Sequence, residues 1–212
     1  MPIIGGGVIF EFLSKLRPIS GKNNKLSIEG NIRKLRKSVV GNNNTVNVSG
    51  ATLIETTIRI SGNGNKLIIQ EGCVIGKGCS FWLEGNDNTI EIGRNTTMTL
   101  RCHFNAQEHG TKIIVGEDCM FSNNIIVRTS DSHPIYNELG ERINPAKDVV
   151  LGSHVWIAPS SVIMKGANIG NGCIIGSHSM VNKQIPETSL AVGMPAKVVK
   201  EGVRWTRENI LE

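Results

Sequence analysis

Aromatic side chains are scarce in this chain: Phe, Trp and Tyr make up 4% of its 212 residues, and Tyr136 is the single tyrosine. Long apolar runs are also absent, because no stretch approaches the ~18 residues that a membrane-spanning helix requires. Residues 1–12 are apolar but interrupted by glycines, and they lack the basic start and the cleavage site of a secretory signal. We therefore expect a single domain without a membrane span.

The cysteines show neither an even count nor a metal-binding spacing. There are five of them, and none belongs to a CxxC pair. These features argue against a disulfide framework and against a zinc site. We expect small, buried, free thiols, no metal ion and a reducing, cytoplasmic location.

Basic residues outnumber acidic ones, giving a formal net charge of +5, and four of them cluster at residues 33–37. A basic surface suits anionic partners such as the phosphates of CoA or an acidic polysaccharide. Nucleic acid is not expected as a partner, because no recognition helix or stacking aromatic motif accompanies the charge. A solvated face is the simpler explanation of the cluster at 33–37.

An aliphatic residue recurs every six positions near the end of the chain. The set is Leu151, Ile157, Ile163, Ile169, Ile175 and Val181, and a small residue follows each of the first five after four positions. Neither a helix nor an open strand has this period. A parallel β-helix does, because each coil is a triangle of three short strands with one aliphatic side chain per side. We expect a narrow tube that buries columns of Ile and Val and has no room for an aromatic ring.

A looser repeat precedes this register. The segments GKNNKLSI at 21, GNNNTVNV at 41, GNGNKLII at 62 and GNDNTIEI at 85 recur at intervals of 20, 21 and 23 residues. Gly and Asn tolerate the positive φ of tight corners, so each interval fits one coil with stacked asparagines, carbohydrate binding being the alternative role. We expect one solenoid over residues 20–190, an N-terminal cap at 1–19 and a C-terminal tail at 191–212.

The six-residue pattern resembles that of the hexapeptide-repeat acyltransferases. The resemblance implies an all-β fold, a left-handed parallel β-helix, and the handedness comes from the resemblance alone, since general rules favour right-handed crossovers. It also implies a homotrimer with active sites between subunits. The segment AVGMPAK at 191–197 is similar to the one that closes the helix in this superfamily, which implies that the tail completes the CoA site.

Residues 129–148 interrupt the repeat with two prolines, a glycine and many charges. Such an excursion is commonly functional or disordered. Its start, DSHPIY, resembles the T-x-x-H-P segment of maltose and galactoside O-acetyltransferases and the D-x-H-P-I-Y of capsular polysialic acid O-acetyltransferases. The resemblance implies that His133 is catalytic.

Acetyl transfer to a sugar hydroxyl requires a base, because a neutral alcohol is a poor nucleophile until its proton is being removed. Imidazole, with a reference pKa near 6.5, suits this task at neutral pH and typically contributes ~10² to 10⁴ in rate. His133 is our candidate, and a histidine that only braces the loop is the alternative. Asp131 or Glu141 could orient its ring, and the sequence does not choose between them.

Trp156 lies 23 residues after His133, at a position that the hexapeptide register directs away from the core. In the resembled families a tryptophan here lies beside the thioester and pantetheine of the donor; a subunit contact is the alternative. The same resemblance implies that acetyl-CoA contacts Ala158, Ser177, Asn182, Lys183, Lys197 and Lys200.

Three residues are candidates for binding the acceptor: Asp131, and His103 and Asn105 in the segment CHFNA. The sugar acetyltransferases tend to have asparagine near the acceptor at the position of His103. We expect His154 and His178 to be surface residues.

The features together predict an acetyl-CoA-dependent O-acetyltransferase that modifies a hydroxyl of a cell-surface polysaccharide, such as a capsule or a sialic acid polymer, or its precursor. An N-acetyltransferase of a nucleotide-linked amino sugar would use the same base. A carbonic anhydrase on the same scaffold would need three converging zinc ligands, for which His103, His109 and His133 are candidates. A trimeric scaffold without catalysis would not bind CoA.

Overall fold

Three faces of short strands wind around one axis in the computed structural model, which describes residues 19–210. This part of the chain contains 22 β-strands and no helix, so none of its elements is a helix able to span a membrane. Neighbouring strands pair in parallel except for the last two. Each coil passes along face 1, face 2 and face 3 in turn, and coils stack about 4.8 Å apart. The fold is a parallel β-helix.

Face 1 starts with the first halves of two long strands, β1 (Lys25–Arg33) and β3 (Thr45–Ile54), which bend at a corner and continue onto face 2. The other strands of face 1 are β5 (Lys66–Ile69), β8 (Thr89–Ile92), β11 (Lys112–Val115), β14 (Val149–Leu151), β17 (Asn168–Ile169) and β20 (Gln184–Ile185).

Face 2 continues from the second halves of β1 and β3. Its other strands are β6 (Val74–Lys77), β9 (Thr97–Leu100), β12 (Met120–Asn123), β15 (Trp156–Ile157), β18 (Ile174–Ile175), β21 (Leu190–Val192) and the antiparallel β22 (Lys197–Lys200).

Face 3 closes each coil. Its strands are β2 (Arg36–Val40), β4 (Thr57–Ser61), β7 (Ser80–Asn86), β10 (His103–His109), β13 (Ile126–Arg128), β16 (Val162–Ile163) and β19 (Met180–Val181). Faces 1 and 2 form one continuous sheet through β1 and β3, and face 3 is a separate sheet.

The strand pairing confirms the period of six. Leu151 pairs with Ile169, and Ile163 pairs with Val181, so one coil takes eighteen residues, or six for each face. All six aliphatic residues of the repeat are buried. Successive side chains of a strand point to opposite faces, so these aliphatic side chains point into the tube while the residues beside them in the sequence point outwards.

Aromatic rings lie in the core, contrary to the expectation that the tube excludes them. Phe81, Phe104 and Phe121 are fully buried. The rings of Phe81 and Phe104 stack with centroids 5.4 Å apart, and those of Phe104 and Phe121 meet at 5.4 Å with a steeper angle of 66°. The rings fit because small inward-facing residues, such as Cys102 and Ala106, flank them. The five cysteines are buried and free, as expected.

The glycines that open the looser repeat lie where adjacent coils approach most closely. A Cβ atom added at Gly41 would lie 1.9 Å from the carbonyl oxygen of Gly62, and one at Gly62 would lie 1.8 Å from that of Gly85. Both residues also have φ above +100°. Only glycine fits these corners without a shift of the backbone.

Residues 129–148 leave the solenoid between β13 and β14, at the corner where face 3 ends and face 1 begins, which we call the loop corner. The expected cap at 1–19 lies outside the described residues except for residue 19. At the other end β21 turns back into β22, and residues 201–210 continue without regular structure.

Candidate active site

A ladder of buried polar side chains runs along the loop corner and ends at the base of the loop. Asn65 donates its Nδ2 to Oδ1 of Asn44 at 3.2 Å, and Oδ1 of Asn88 accepts from Oγ1 of Thr111 at 3.0 Å. The Oγ1 atoms of Thr111 and Thr129 lie 3.0 Å apart. Thr129 is fully buried. The predicted asparagine ladder is therefore structural, and it fixes the residue from which the loop departs.

His133 lies four residues beyond this fixed point and is exposed. Its carbonyl oxygen accepts a hydrogen bond of 2.9 Å from Nδ2 of Asn144. The Oδ1 atom of Asn144 accepts from the backbone N–H of Ile135 at 2.6 Å. Asn144 is only 7% exposed, so a buried amide from the end of the loop holds the backbone on both sides of Pro134. The backbone of His133 is fixed while its side chain faces outwards.

Asp131 is held by a cation from the solenoid. Its Oδ2 accepts hydrogen bonds from Nζ of Lys165 and, at 2.9 Å, from Nδ2 of Asn144. Lys165 also donates to the carbonyl oxygen of Asn144 at 3.0 Å. The hydrogen bond from Lys165 holds the pKa of Asp131 below its usual value, although partial burial opposes the shift. These contacts join both ends of the loop to the coil above.

Neither of the carboxylates proposed to orient His133 does so in this conformation. Asp131 binds Lys165 and Asn144, while Oε2 of Glu141 accepts from Nδ2 of Asn137 at 2.9 Å. Within residues 19–210 no side chain hydrogen-bonds the imidazole of His133. Lys165 and Asn144 bind the carboxylate of Asp131 instead, and sequence order alone does not reveal these partners.

A second ion pair holds the outer part of the loop. Arg142 donates from Nη1 and Nη2 to Oε2 and Oε1 of Glu108 at 2.9 and 2.7 Å. Oγ of Ser130 donates to Oε1 of the same carboxylate at 2.7 Å. The hydrogen bond from Arg142 keeps the pKa of Glu108 below its usual value. Paired guanidinium and carboxylate groups of this geometry restrict orientation as well as distance.

The acceptor candidate His103 projects outwards from face 3. Its Nδ1 lies 2.7 Å from Oγ of Ser80, and its ring meets the face of Trp82 edge-on, with centroids 4.7 Å apart. Burial lowers the pKa of His103, and the positive charge of Arg128 lowers it further. The imidazole is therefore neutral at neutral pH and able to donate or accept a hydrogen bond.

Asn105 follows on the same strand but is only 7% exposed. Its Oδ1 is buried and has no hydrogen-bond partner among the residues described, and the same is true of Nε1 of Trp82, its neighbour in β7. Asn105 thus offers a bound sugar little surface, whereas His103 beside it is only half-buried.

Trp156 lies on face 2, in an outward position, and is half-buried. It is flanked along the axis by Met120 and Ile174, its partners in the adjacent strands. In a triangular coil, face 2 lies opposite the loop corner that carries His133. With about six residues to a side at ~3.3 Å each, that corner is roughly 15 Å from face 2. Trp156 and His133 of one chain therefore lie on opposite sides of the solenoid.

The three histidines considered as zinc ligands do not converge. Between residues 19 and 210, no group of three or more His, Cys, Asp and Glu side chains is arranged to hold a metal ion. His103 bonds Ser80, and Nδ1 of His109 lies 3.7 Å from Asp87.

Comparison with known proteins identifies the family. Residues 148–183 match the family model described as bacterial transferase hexapeptide (six repeats). The polysialic acid O-acetyltransferase of Neisseria meningitidis is 36% identical over 175 residues, which cover 81% of this chain and 79% of that protein. The chain belongs to the hexapeptide-repeat acyltransferases.

Two further relatives agree with this membership. The crystal structure of the polysialic acid O-acetyltransferase OatWY superimposes with a TM-score of 0.81 at 34% identity and covers 89% of this chain and 90% of that one. The polysialic acid O-acetyltransferase of Escherichia coli O1:K1 / APEC is 34% identical over 58% of this chain, but that match spans 40% of its own length. The predicted fold, a left-handed parallel β-helix, and the predicted enzyme class, an acyltransferase, are confirmed.

The donor candidates of this acyltransferase divide into two groups. Ala158 and Ser177 border face 2 near Trp156, and Lys197 and Lys200 lie on β22 of the same face. Asn182 and Lys183 instead lie at the loop corner, one coil from Lys165. All six except Ala158 are exposed. The chain therefore presents one half of the candidate site on face 2 and the other half, with Asp131 and His133, at the loop corner.

His154 of this acyltransferase, which we expected to be a surface residue, is partly exposed but makes specific contacts. Its Nδ1 lies 2.7 Å from Oδ2 of Asp118, and its ring stacks on Trp205 with centroids 4.0 Å apart. His178 is exposed, as expected. The contact was not predictable from the sequence, because Trp205 is 51 positions away and outside any repeat.

Proposed function

We propose that this protein is an acetyl-CoA-dependent O-acetyltransferase that modifies a hydroxyl group of a cell-surface polysaccharide or of its precursor, with His133 as the general base. One observation supports this proposal most strongly. His133 is exposed, and Asn144 holds its backbone, in a member of an acyltransferase family. An anchored, solvent-facing base is what an incoming hydroxyl group requires.

In the proposed reaction His133 removes the proton of the acceptor hydroxyl as its oxygen attacks the thioester carbonyl. The C–S bond then breaks, the acetyl group stays on the acceptor oxygen, and the CoA sulfur leaves and takes up the proton. The exposed ring of His133 has both nitrogens free of protein partners within the described residues, so one can accept the proton while the other meets solvent or a neighbouring subunit.

The active site in this proposal is shared between subunits of a homotrimer. The two donor groups and the two catalytic candidates lie on opposite sides of one coil, too far apart for the ~3 Å reach of a general base. A cyclic trimer brings the loop corner of one subunit against face 2 of the next. The loop also carries exposed apolar residues suited to such a contact: Ile135, Tyr136, Leu139 and Ile143 are 52 to 84% exposed.

Trp156 has the role of orienting the donor in this arrangement. Its ring offers a flat apolar surface on face 2, and the small side chain of Ala158 two residues later lets a pantetheine arm approach the backbone. Lys197 and Lys200 are exposed ammonium groups on the same face, suited to phosphates as point charges. Asn182 and Lys183 of the adjacent subunit complete the proposed donor site.

An acidic polysaccharide is the acceptor that the charge distribution supports. Lys34, Arg36, Lys77 and Arg101 line a surface cavity of about 480 Å³ that contains one carboxylate, Glu55. Lys34 and Lys77 pair with Glu55 at 3.3 and 3.5 Å, which leaves the two arginines without a carboxylate partner among the described residues. The names of the relatives, polysialic acid O-acetyltransferases, agree with such an acceptor.

The test is acetyl-CoA turnover, followed by release of free thiol, with sialic acid polymers, galactosides and nucleotide-linked amino sugars as acceptors. We expect turnover with a polysaccharide and a loss of roughly 10²-fold or more for His133→Ala. His178→Ala is the matched control, because it removes an exposed histidine whose side chain makes no hydrogen bond or ion pair within residues 19–210.

The outcomes separate the alternatives. Full activity of His133→Ala would show that the histidine only braces the loop. Turnover with amino sugars alone would make the enzyme an N-acetyltransferase. Failure of the wild type to bind acetyl-CoA would favour a scaffold without catalysis.

A further inference from the structure

The C-terminal tail folds back over the solenoid and passes beside Trp156. We call residues 203–207 the strap. The backbone N–H of Val203 bonds the carbonyl oxygen of Thr188 at 2.9 Å, and Arg207 reaches Oγ1 of Thr97 at 3.0 Å. Thr188 and Thr97 lie at opposite ends of a stretch of five coils, so the strap crosses several coils along the corner between faces 1 and 2. No regular secondary structure supports it, and its side chains must hold it in place.

Trp205 and His154 form the first attachment of the strap. The rings stack in parallel, 4.0 Å apart with an interplanar angle of 7°. Trp205 donates from Nε1 to the carbonyl oxygen of His154 at 3.0 Å, and Nε2 of His154 lies 3.1 Å from the carbonyl oxygen of Trp205. Trp205 is only 7% exposed. The ring of Trp205 is thus buried against the outside of the solenoid and does not belong to its core.

The ring of His154 has a partner at each of its two nitrogens. Nδ1 faces the carboxylate of Asp118 at 2.7 Å and Nε2 faces a carbonyl oxygen, and both are acceptors. Each ring nitrogen of His154 thus has an acceptor within hydrogen-bond distance, and these contacts fix the orientation of the ring under Trp205. Partial burial opposes the shift, but hydrogen bonds from His154 and Arg207 keep the pKa of Asp118 below its usual value.

Arg207 forms the second attachment. It donates from Nε to Oδ1 of Asp118 at 2.7 Å, and from Nη2 to the carbonyl oxygens of Asn95 and Cys119 at 3.2 and 3.0 Å. With the bond to Thr97, four acceptors hold one guanidinium group. Asp118 thus binds His154 with one oxygen and Arg207 with the other, so the two attachments share one carboxylate.

The strap contacts Trp156 from the side. The ring centroids of Trp156 and Trp205 lie 6.1 Å apart, at an angle of 49°, within the range of favourable aromatic contacts. Met120 and Ile174 flank Trp156 along the axis, and the strap adds a contact from the side. A tryptophan on the outer surface of a two-residue strand would otherwise sample several rotamers.

We propose that Trp205 is a positioning residue for the acyl donor: the strap, fastened through His154, Asp118 and Arg207, holds the ring of Trp156 in the orientation that receives the thioester. This inference rests on the donor role proposed for Trp156. It assigns to the end of the chain a part in donor binding that is separate from the phosphate contacts of Lys197 and Lys200.

The test compares Trp205→Ala, Trp205→Phe and Arg207→Gln by steady-state kinetics with varied acetyl-CoA and varied acceptor. We expect Trp205→Ala to raise KM for acetyl-CoA about tenfold and to leave KM for the acceptor within about twofold. Trp205→Phe keeps an aromatic neighbour and should recover most of the loss. Arg204→Gln is the matched control, because it makes the same charge change on the same strap, at an exposed residue whose side chain makes no hydrogen bond or ion pair among the residues described.

A double-mutant cycle distinguishes this inference from the proposed function. If Trp205 acts through Trp156, Trp205→Ala has no further effect on KM for acetyl-CoA in a Trp156→Ala background. If Trp156→Ala alone leaves that KM unchanged, the donor role of Trp156 is wrong. If Trp156→Ala raises it but Trp205→Ala and Arg207→Gln do not, the strap only stabilises the fold and the inference is overturned. Arg207→Gln keeps the test decisive where Trp205→Ala fails to fold.

Discussion

Removal of the Asn144 side chain should separate catalysis from stability. In Asn144→Ala the carboxylate of Asp131 and the carbonyl oxygen of His133 lose their Nδ2 partner, and the N–H of Ile135 loses its acceptor. The solenoid does not depend on these bonds, because the loop lies outside the stacked coils and Asn144 does not belong to the core.

The magnitude follows from the bonds lost. A fourth, longer bond of 3.4 Å from Nε of Arg142 to Oδ1 of Asn144 is lost as well. Four hydrogen bonds with net values of ~0.5–1.5 kcal/mol each give roughly 2–6 kcal/mol, of which Lys165 retains a part by holding Asp131. If about 2 kcal/mol of this favours the ordered position of His133, kcat falls roughly 30-fold. The thermal midpoint should fall by no more than about 4–8 °C, the shift that the same 2 kcal/mol produces in a chain of this size, because the core keeps its buried area.

Steady-state acetyl transfer and thermal unfolding, measured on one preparation, provide the assay. Asn144→Asp is the informative companion, because it keeps an acceptor for Ile135 but loses both donated bonds and places a second carboxylate beside Asp131. It should be at least as impaired as Asn144→Ala. Wild-type kcat in both variants would refute the claim that this amide positions His133.

Two further predictions concern the core and pH. Phe104→Ala removes a fully buried ring that contacts two others. It should lower the free energy of unfolding, measured by denaturant titration, by about 3–5 kcal/mol, and Phe104→Leu should lower it less. Equal stability of Phe104→Ala and wild type would contradict the packing described. Asp131 and Glu108 have lowered pKa values in the folded loop, so their contribution is present above the ordinary carboxyl range near 4 and is lost as pH falls through the depressed values. Hydrogen exchange at the amides of Ile135 and Lys147, corrected for intrinsic rates, should stay slow from pH 7 to about 5 and rise only below about 4; loss of protection already at pH 6 would show that these carboxylates do not hold the loop.

The repeat made the solenoid predictable from sequence, because the length of a β-helix coil determines the spacing of its inward-facing residues. Leu151 and Ile169 are eighteen residues apart and pair directly, and the asparagines of the looser repeat stack as their spacing predicts. The size of the core was less predictable. Phe104 fits at an inward position because Cys102 and Ala106 beside it are small. The space available to one core side chain thus depends on the sizes of several neighbours at once.

Individual contacts of the site were harder to predict, because they join residues that no repeat relates. The sequence indicated the loop and His133, but not that Lys165 from the next coil would bind Asp131. It likewise gave no sign that Trp205 would stack on His154. Both contacts depend on where a non-repetitive segment returns to the solenoid, and its path is set by packing.

Subunit complementation tests the central claim most directly, namely that His133 of one subunit and Trp156 of the next form one site. Chains carrying His133→Ala and chains carrying Trp156→Ala are co-expressed with different tags, and the mixed trimers are purified and assayed. The matched control mixes His133→Ala with Asn144→Ala, whose defects lie in the same loop, so that mixing restores no intact site.

With random mixing about three quarters of the trimers contain both chains, and each mixed cyclic trimer has one site with both residues intact. The account predicts about one third of wild-type activity from the purified mixed trimers, which is about one quarter for the whole unpurified mixture, and only background activity from the control. Background activity in both mixtures, although trimers form, would contradict the account, because His133 and Trp156 would then have to act within one chain.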